Sequence, residues 1–121
     1  MSERRWAIYV RDMIECCDRI LRHTDGLDRE MVFTTDIVHD ATLWNIGVLG
    51  EAANRIPEAV REAHHEIPWR DMVDARNRII HGYGDIDDDV LWDIISRDIP
   101  ELLPSLRALV EKGDEGEPDL R

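Results

Sequence analysis

The chain has 121 residues, of which 43% are hydrophobic and 35% charged, and its formal net charge is −12 at pH 7. That length predicts a single domain with one modest core. The acidic balance excludes binding of nucleic acid through a broad basic surface, because phosphate contacts normally supply most of the non-specific affinity. Any nucleic-acid function must therefore depend on a local cationic pocket.

The sequence predicts neither a membrane span nor a signal peptide. No stretch approaches the roughly 18 consecutive apolar residues of a transmembrane helix. The N-terminus enters an amphipathic pattern directly, without an apolar signal region. We therefore expect a cytoplasmic protein that does not bind a membrane.

Both cysteines, Cys16 and Cys17, are adjacent in the chain. Neighbouring residues on a helix point about 100° apart and do not face each other. We therefore expect two small residues at a helix–helix contact, and neither a disulfide between them nor a metal or redox site.

Apolar periodicity predicts helices along most of the first half of the chain. The first covers residues 3–23 and ends at Thr24-Asp25-Gly26. After a short segment around residues 28–33, Thr35 or Asp36 is a suitable N-cap for a second helix over residues 36–56. This second helix is apolar on two sides, so we expect it at the centre of a bundle. One side consists of Ile37, Ala41, Trp44, Val48 and Ala52, and the other of Val38, Leu49, Ala53 and Ile56.

Prolines and glycines mark the helices of the middle of the chain. Pro57 suits the first turn of a short helix that ends near residues 64–65. Another helix runs from Pro68 to about Ile80 and is broken by two glycines, Gly82 and Gly84.

The C-terminal part of the chain predicts two further helices and a tail. Asp87 caps the first of them, where negative charge suits a helix N-terminus, and Pro100 begins the last. Residues 113–121 are expected to form an acidic, disordered tail. The fold class predicted for residues 1–112 is therefore all-α, a four- to five-helix up-and-down bundle.

The helix over residues 68–80 carries a positive charge at the centre of its apolar face. On a helical wheel with about 100° per residue, the apolar side chains lie within about 60° of Arg76. These side chains are Trp69, Met72, Val73, Ile79, Ile80 and Tyr83. Asn77 and His81 lie about 100° and 140° away from Arg76. Because a buried unpaired charge is costly, this position needs an explanation.

A structural and a functional explanation compete. In the structural one, Arg76 pairs with an inward carboxylate, for which Glu51 is the obvious candidate, and His81 is an ordinary helix-end residue. In the functional one, Arg76 and His81 face a ligand: arginine is a planar donor suited to phosphate, and histidine both takes and gives a proton near neutrality. On a straight helix the Arg76 and His81 side chains do not point the same way. They converge only if the chain bends after Ile80 or if a second subunit supplies one of them.

Four segments on this helical background resemble a known family. The motif RNRIIHGY at residues 76–83 contains Arg-x4-His-x-Tyr with a polar residue after the arginine, which resembles the signature of the HEPN superfamily. Together with IPWRDM at 67–72, VLWDII at 90–95 and LGEAA at 49–53, it resembles the HepT-like ribonuclease toxins. The resemblance extends over most of residues 4–110.

The resemblance implies a specific fold, activity and partner. It implies a helical homodimer in which Arg76 and His81 of both protomers line a composite cleft, and metal-independent cleavage of RNA. It also implies a neighbouring nucleotidyltransferase antitoxin, of the MntA type, that attaches AMP to Tyr83. One departure is Gly84, which follows Tyr83 where a larger, often aromatic residue is expected.

A mechanism without metal or cofactor follows as a hypothesis. His81 acts as general base or acid on the RNA 2′-hydroxyl or the leaving oxygen. Arg76 stabilises the charge that develops on the phosphorus centre, and Asn77 orients the phosphate or holds Arg76 in place. The other histidines lack convincing metal-ligand spacing.

Two alternatives to the nuclease remain open. One is a non-catalytic HEPN protein that serves as nucleotide- or substrate-binding partner of a nucleotidyltransferase. It would use Arg76 but has no need of a titrating His81. The other is a purely structural dimer, in which Arg76 pairs with Glu51 in a closed, dry contact.

Overall fold

A computed structural model describes the backbone of residues 5–82 and 86–116, and all regular structure in these ranges is helical. The all-α prediction is therefore confirmed. The helices are α1 (Trp6–Thr24), α2 (Arg29–Thr34), α3 (Asp36–Asn54), α4 (Glu58–Ala63), α5 (Trp69–Gly82), α6 (Asp88–Asp93) and α7 (Ile99–Gly116), and a π-helical turn (Ile94–Asp98) joins the last two. Within these ranges, none of the helices is both long and apolar enough to cross a membrane.

The helix ends follow local chemistry. The chain turns after α1 at Gly26, whose φ of 75° lies in the left-handed region that favours glycine. Asp28 caps α2 by accepting a hydrogen bond from the Met31 amide at 2.8 Å. Asp87 caps α6 as predicted, because its carboxylate accepts from the Asp89 amide at 2.7 Å.

Successive long helices fold back on one another around a single core. α3 packs against both α1 and α5, and α1 also packs against α7. Near the start of α1, Tyr9 lies beside Arg55 at the end of α3. Arg107 of α7 bonds Asp18 of α1 at 3.1 Å. The largest fully buried side chains come from α1, α2, α3, the loop after α3, α6 and α7.

The last helix, α7, begins at Ile99, so the prediction that Pro100 begins it is confirmed to within one residue, whereas the π-helical turn that joins it to α6 was not predicted. The chain remains helical from Asp88 to Gly116 through the π-helical turn, in which the Ile99 amide donates to the Ile94 carbonyl five residues earlier. A proline in a helix lacks an amide donor and collides with the carbonyl four residues before it. Pro100 lies in the first turn of α7, where the missing amide donor is tolerated. α7 is helical to Gly116, and the domain boundary at residue 112 stays a prediction.

The second apolar side of α3 is only partly buried in the protomer. The Val38–Ile56 side packs into the core, and Ala52 on the other side is also buried, but Ile37 and Trp44 on that side are 82% and 71% exposed. The prediction that α3 is central is confirmed, because α3 packs against both α1 and α5. Trp44 lines a surface that also contains Ile80 of α5, which is 56% exposed.

Both cysteines lie at the contact of α1 with its neighbours, as predicted. Cys16 and Cys17 are buried free thiols. Burial raises the pKa of Cys16 to about 11 and that of Cys17 to about 12. The unreactive protonated form therefore predominates at neutral pH, and the two residues act as core packing.

Candidate functional site

The predicted site is built where α3 and α5 approach each other most closely. Gly50 is buried on α3, and a Cβ placed on it would lie 2.4 Å from Cβ of Arg76 and 2.6 Å from the Met72 carbonyl oxygen. Only a residue without a side chain fits at these distances. The stem of Arg76 therefore lies directly against the α3 backbone, and its guanidinium reaches the neighbouring residue, Glu51.

Substitution of Gly50 by alanine should force the two helices apart. We expect a destabilisation of about 1–3 kcal/mol, because the obstacle includes backbone and cannot rotate away. Gly47→Ala is the matched control, since a Cβ at Gly47 meets nothing within 4 Å and gains helix propensity of up to about 1 kcal/mol. Chemical denaturation of both variants at several protein concentrations tests this and separates any effect on self-association. Equal stability of the two variants would contradict the close approach.

Arg76 has two polar partners. Its Nη2 lies 2.7 Å from Oε2 of Glu51, and its Nη1 donates to Oδ1 of Asn77 at 2.9 Å. The first contact is the pair expected in the structural explanation. The second is compatible with a role for Asn77 in holding Arg76. Both neighbours fix the direction of the guanidinium before any ligand arrives.

The Arg76–Glu51 pair is open to solvent within the protomer. The Arg76 side chain is 24% exposed and that of Glu51 is 42% exposed. Both line an open groove of about 710 Å³ along α3 and α5. The groove is otherwise mostly apolar: the remaining lining residues are His39, Asp40, Leu43, Trp44, Gly47, Val48, Ile79 and Ile80. We call this surface the α3/α5 groove.

The structure does not bring His81 to Arg76 within one chain. α5 continues without a break to Gly82, so the bend after Ile80 that would align the two does not occur before that residue. At about 100° per residue the side chains then point about 140° apart. His81 is exposed in the last turn of α5. Tyr83 and Gly84 lie outside the described residues.

A family model described as "Ribonuclease HepT-like" matches residues 13–109. The chain belongs to the HepT-like ribonuclease family. The predicted resemblance is thereby confirmed, and membership supports a ribonuclease activity. No solved structure is a significant match to the chain.

Relatives named for ribonucleases cover most of the chain. A Thermococcus cleftensis protein named "Probable ribonuclease HepT" is 33% identical over 94 residues, which are 78% of this chain and 86% of that protein. A Methanocaldococcus jannaschii protein named for an RNase is 29% identical over 102 residues, 84% of this chain and 94% of its own. Another protein of that organism, named for a gamma-glutamylcyclotransferase and an RNase, is 28% identical over 107 residues; the chain spans only 48% of its length.

In this HepT-like chain, sequence analysis overlooked two residues that contact Arg76 or its partner Glu51. Gly50 was part of the LGEAA segment, but its contact with Arg76 depends on the distance between two helices. Arg55 follows Glu51 by one helical turn, and its Nη2 lies 3.4 Å from Oε1 of Glu51. That i,i+4 spacing is the signal that could have identified it. The Tyr9 hydroxyl and then the Glu51 carboxylate raise the pKa of the Arg55 guanidinium.

The described residues contain no cluster of metal-ligating side chains. In the ranges 5–82 and 86–116, no three His, Cys, Asp or Glu side chains come together closely enough to hold a metal ion. His39 contacts the Phe33 ring edge to face. Nδ1 of His64 lies 3.7 Å from Oε1 of Glu66. The Trp69 indole donates to the His64 carbonyl at 3.0 Å, which ties the start of α5 to the preceding turn.

Proposed function

We propose that this protein is a metal-independent endoribonuclease that acts as the toxin of a toxin–antitoxin pair and cleaves RNA in a homodimer cleft. One observation carries the proposal. In a member of the HepT-like ribonuclease family, Arg76 of the Arg-x4-His motif is held beside Glu51 at an open groove instead of in a dry core. A permanently charged, preoriented guanidinium that water reaches is suited to bind a phosphodiester.

Cleavage would use the 2′-hydroxyl of the RNA as nucleophile. His81 of one protomer takes the 2′-proton as the 2′-oxygen forms a bond to phosphorus, and the imidazolium so formed, or that of the second protomer, gives a proton to the 5′-oxygen as its bond to phosphorus breaks. Arg76 stabilises the negative charge that builds up on the non-bridging oxygens. Asn77 and Glu51 hold the guanidinium in its direction. These steps are acid–base and electrostatic, so the named residues complete them without a metal ion.

A second copy of the chain would bring the two catalytic residues together. In one protomer Arg76 and His81 point about 140° apart, so a single chain does not assemble the site. The exposed apolar side chains of Trp44 and Ile80 line the α3/α5 groove together with Arg76. A contiguous exposed apolar surface of this kind typically marks an interface. Its burial in a two-fold dimer would place both motifs at one contact.

Regulation would act through Tyr83. We propose that a nucleotidyltransferase antitoxin attaches AMP to this residue, two positions after His81. The added phosphate and bulk would repel RNA from a site that binds phosphate. Mass spectrometry of the chain after co-expression with such an enzyme would locate the modification.

The decisive experiment is cleavage of a single-stranded RNA by the purified protein in excess EDTA. We expect cleavage to persist in EDTA and to yield products with 2′,3′-cyclic phosphate and 5′-hydroxyl ends, because the 2′-oxygen is the nucleophile. An RNA with 2′-O-methyl groups is the matched control and should resist cleavage. Binding of RNA or nucleotide without any cleavage would instead favour the non-catalytic alternative.

A further inference from the structure

A second guanidinium shares the carboxylate that holds Arg76. Glu51 contacts Arg76 through Oε2 at 2.7 Å and Arg55 through Oε1 at 3.4 Å. One carboxylate thus separates two permanent positive charges that would otherwise repel each other. Both guanidiniums therefore lie next to the two oxygens of one carboxylate. Arg55 is 57% exposed and free to meet a ligand.

Beyond Arg55, the next group on this surface is an aromatic ring on α1. The Arg55 guanidinium carbon lies 5.9 Å from the centre of the Tyr9 ring, within the range of a cation–π contact. Tyr9 is half-buried on α1. A strip of side chains therefore crosses α5, α3 and α1, and it consists, in this order, of Arg76, Glu51, Arg55 and Tyr9. Guanidinium groups combined with aromatic faces are the usual elements of single-strand binding, because they serve the phosphate and the base of one nucleotide.

We infer that Arg55 and Tyr9 form a subsite for the nucleotide next to the scissile phosphate. This inference rests on the proposed function and adds a binding position outside the Arg-x4-His motif. RNA phosphates contact the two guanidiniums through N–H groups that the Glu51 carboxylate does not occupy, and a base stacks on the Tyr9–Arg55 surface. The local positive charge matters here because the chain as a whole carries −12 and repels polyanions.

The test is equilibrium binding of a fluorescein-labelled single-stranded RNA oligonucleotide to the full chain carrying His81→Ala, which prevents cleavage. Adding Arg55→Ala should weaken binding about tenfold, at any sequence, as expected for loss of a phosphate contact. The slope of log affinity against log salt should fall by about 0.7, the value for one phosphate of a single strand. Arg55→Lys, which keeps the charge but loses the planar fork, should give an intermediate affinity.

Arg19→Ala is the matched control, because Arg19 also pairs with a glutamate four residues earlier, at 2.6 Å, and is 45% exposed. Its removal should change neither affinity nor slope beyond the general effect of one charge. If Arg55→Ala and Arg19→Ala behave alike while Arg76→Ala still abolishes cleavage, the subsite is overturned, Arg55 is a surface ion pair only, and the nuclease stands. If the wild type neither binds nor cleaves RNA, both proposals fail together.

The base contact is tested separately. Tyr9→Leu should weaken binding of the intact oligonucleotide but leave binding of one with an abasic nucleotide unchanged, whereas Tyr9→Phe should retain stacking. In the active chain, Arg55→Ala should raise KM and leave kcat within about twofold, because the contact acts equally on ground state and transition state. A loss confined to kcat would contradict a binding subsite.

Discussion

His81→Ala is expected to lower kcat for RNA cleavage by about 10²- to 10⁴-fold, the usual contribution of a positioned acid or base. KM should change little, because the imidazole acts on protons that move only in the transition state. His81 is exposed in the last turn of α5. The free energy of unfolding, measured by thermal denaturation, should therefore stay within about 0.5 kcal/mol of the wild-type value, as for other surface substitutions.

The control for this prediction is His65→Ala. His65 is likewise an exposed histidine, and it lies in the turn between α4 and α5. Its removal should leave kcat, KM and stability unchanged. If His81→Ala cleaves RNA as fast as the His65 variant, His81 takes no part in the chemistry, and the motif must serve binding instead.

Helix positions were predictable from sequence because they depend on local spacing. Apolar periodicity and capping residues located all six predicted helical segments, with ends within a few residues of those observed, but residues 29–34, which form α2, were predicted only as a connecting segment. Pro100 marked the start of α7 to within one residue, but the π turn that joins α6 to α7 has no local signature. The Arg76–Glu51 contact was also predictable, since each residue interrupts an apolar stripe and the stripes face each other.

Two parts of the site depend on tertiary distances that the sequence does not contain. A helical glycine is equally compatible with open space, as at Gly47, and with a close helix crossing, as at Gly50. Likewise, the apolar stripe through Trp44 could be covered by the same chain or by another. Periodicity reports that a face is apolar but not what covers it, so the exposed side of α3 became visible only in the structure.

Mixing two inactive variants should restore activity, which is the sharpest test of a site shared between subunits. Arg76→Ala is expected to lower kcat by about 10²- to 10³-fold, as for loss of one preorganised donor to a developing oxyanion. If each site takes its arginine from one subunit and its histidine from the other, a dimer of an Arg76→Ala chain with a His81→Ala chain has one intact combination. Random exchange should then recover about a quarter of wild-type activity.

Recovery must depend on association through the α3/α5 groove. Trp44→Glu, placed in one of the two chains, should prevent the recovery of activity. Because Trp44 is 71% exposed in the protomer, a charge there leaves the fold intact. The same charge opposes burial in an interface. Ile8→Glu is the control, since Ile8 is 57% exposed on α1 and should not affect recovery. Light scattering must show loss of the dimer only for the Trp44 variant. Absence of recovery from dimers that do exchange subunits would mean that Arg76 and His81 do not act across a subunit boundary, and the shared cleft would have to be abandoned.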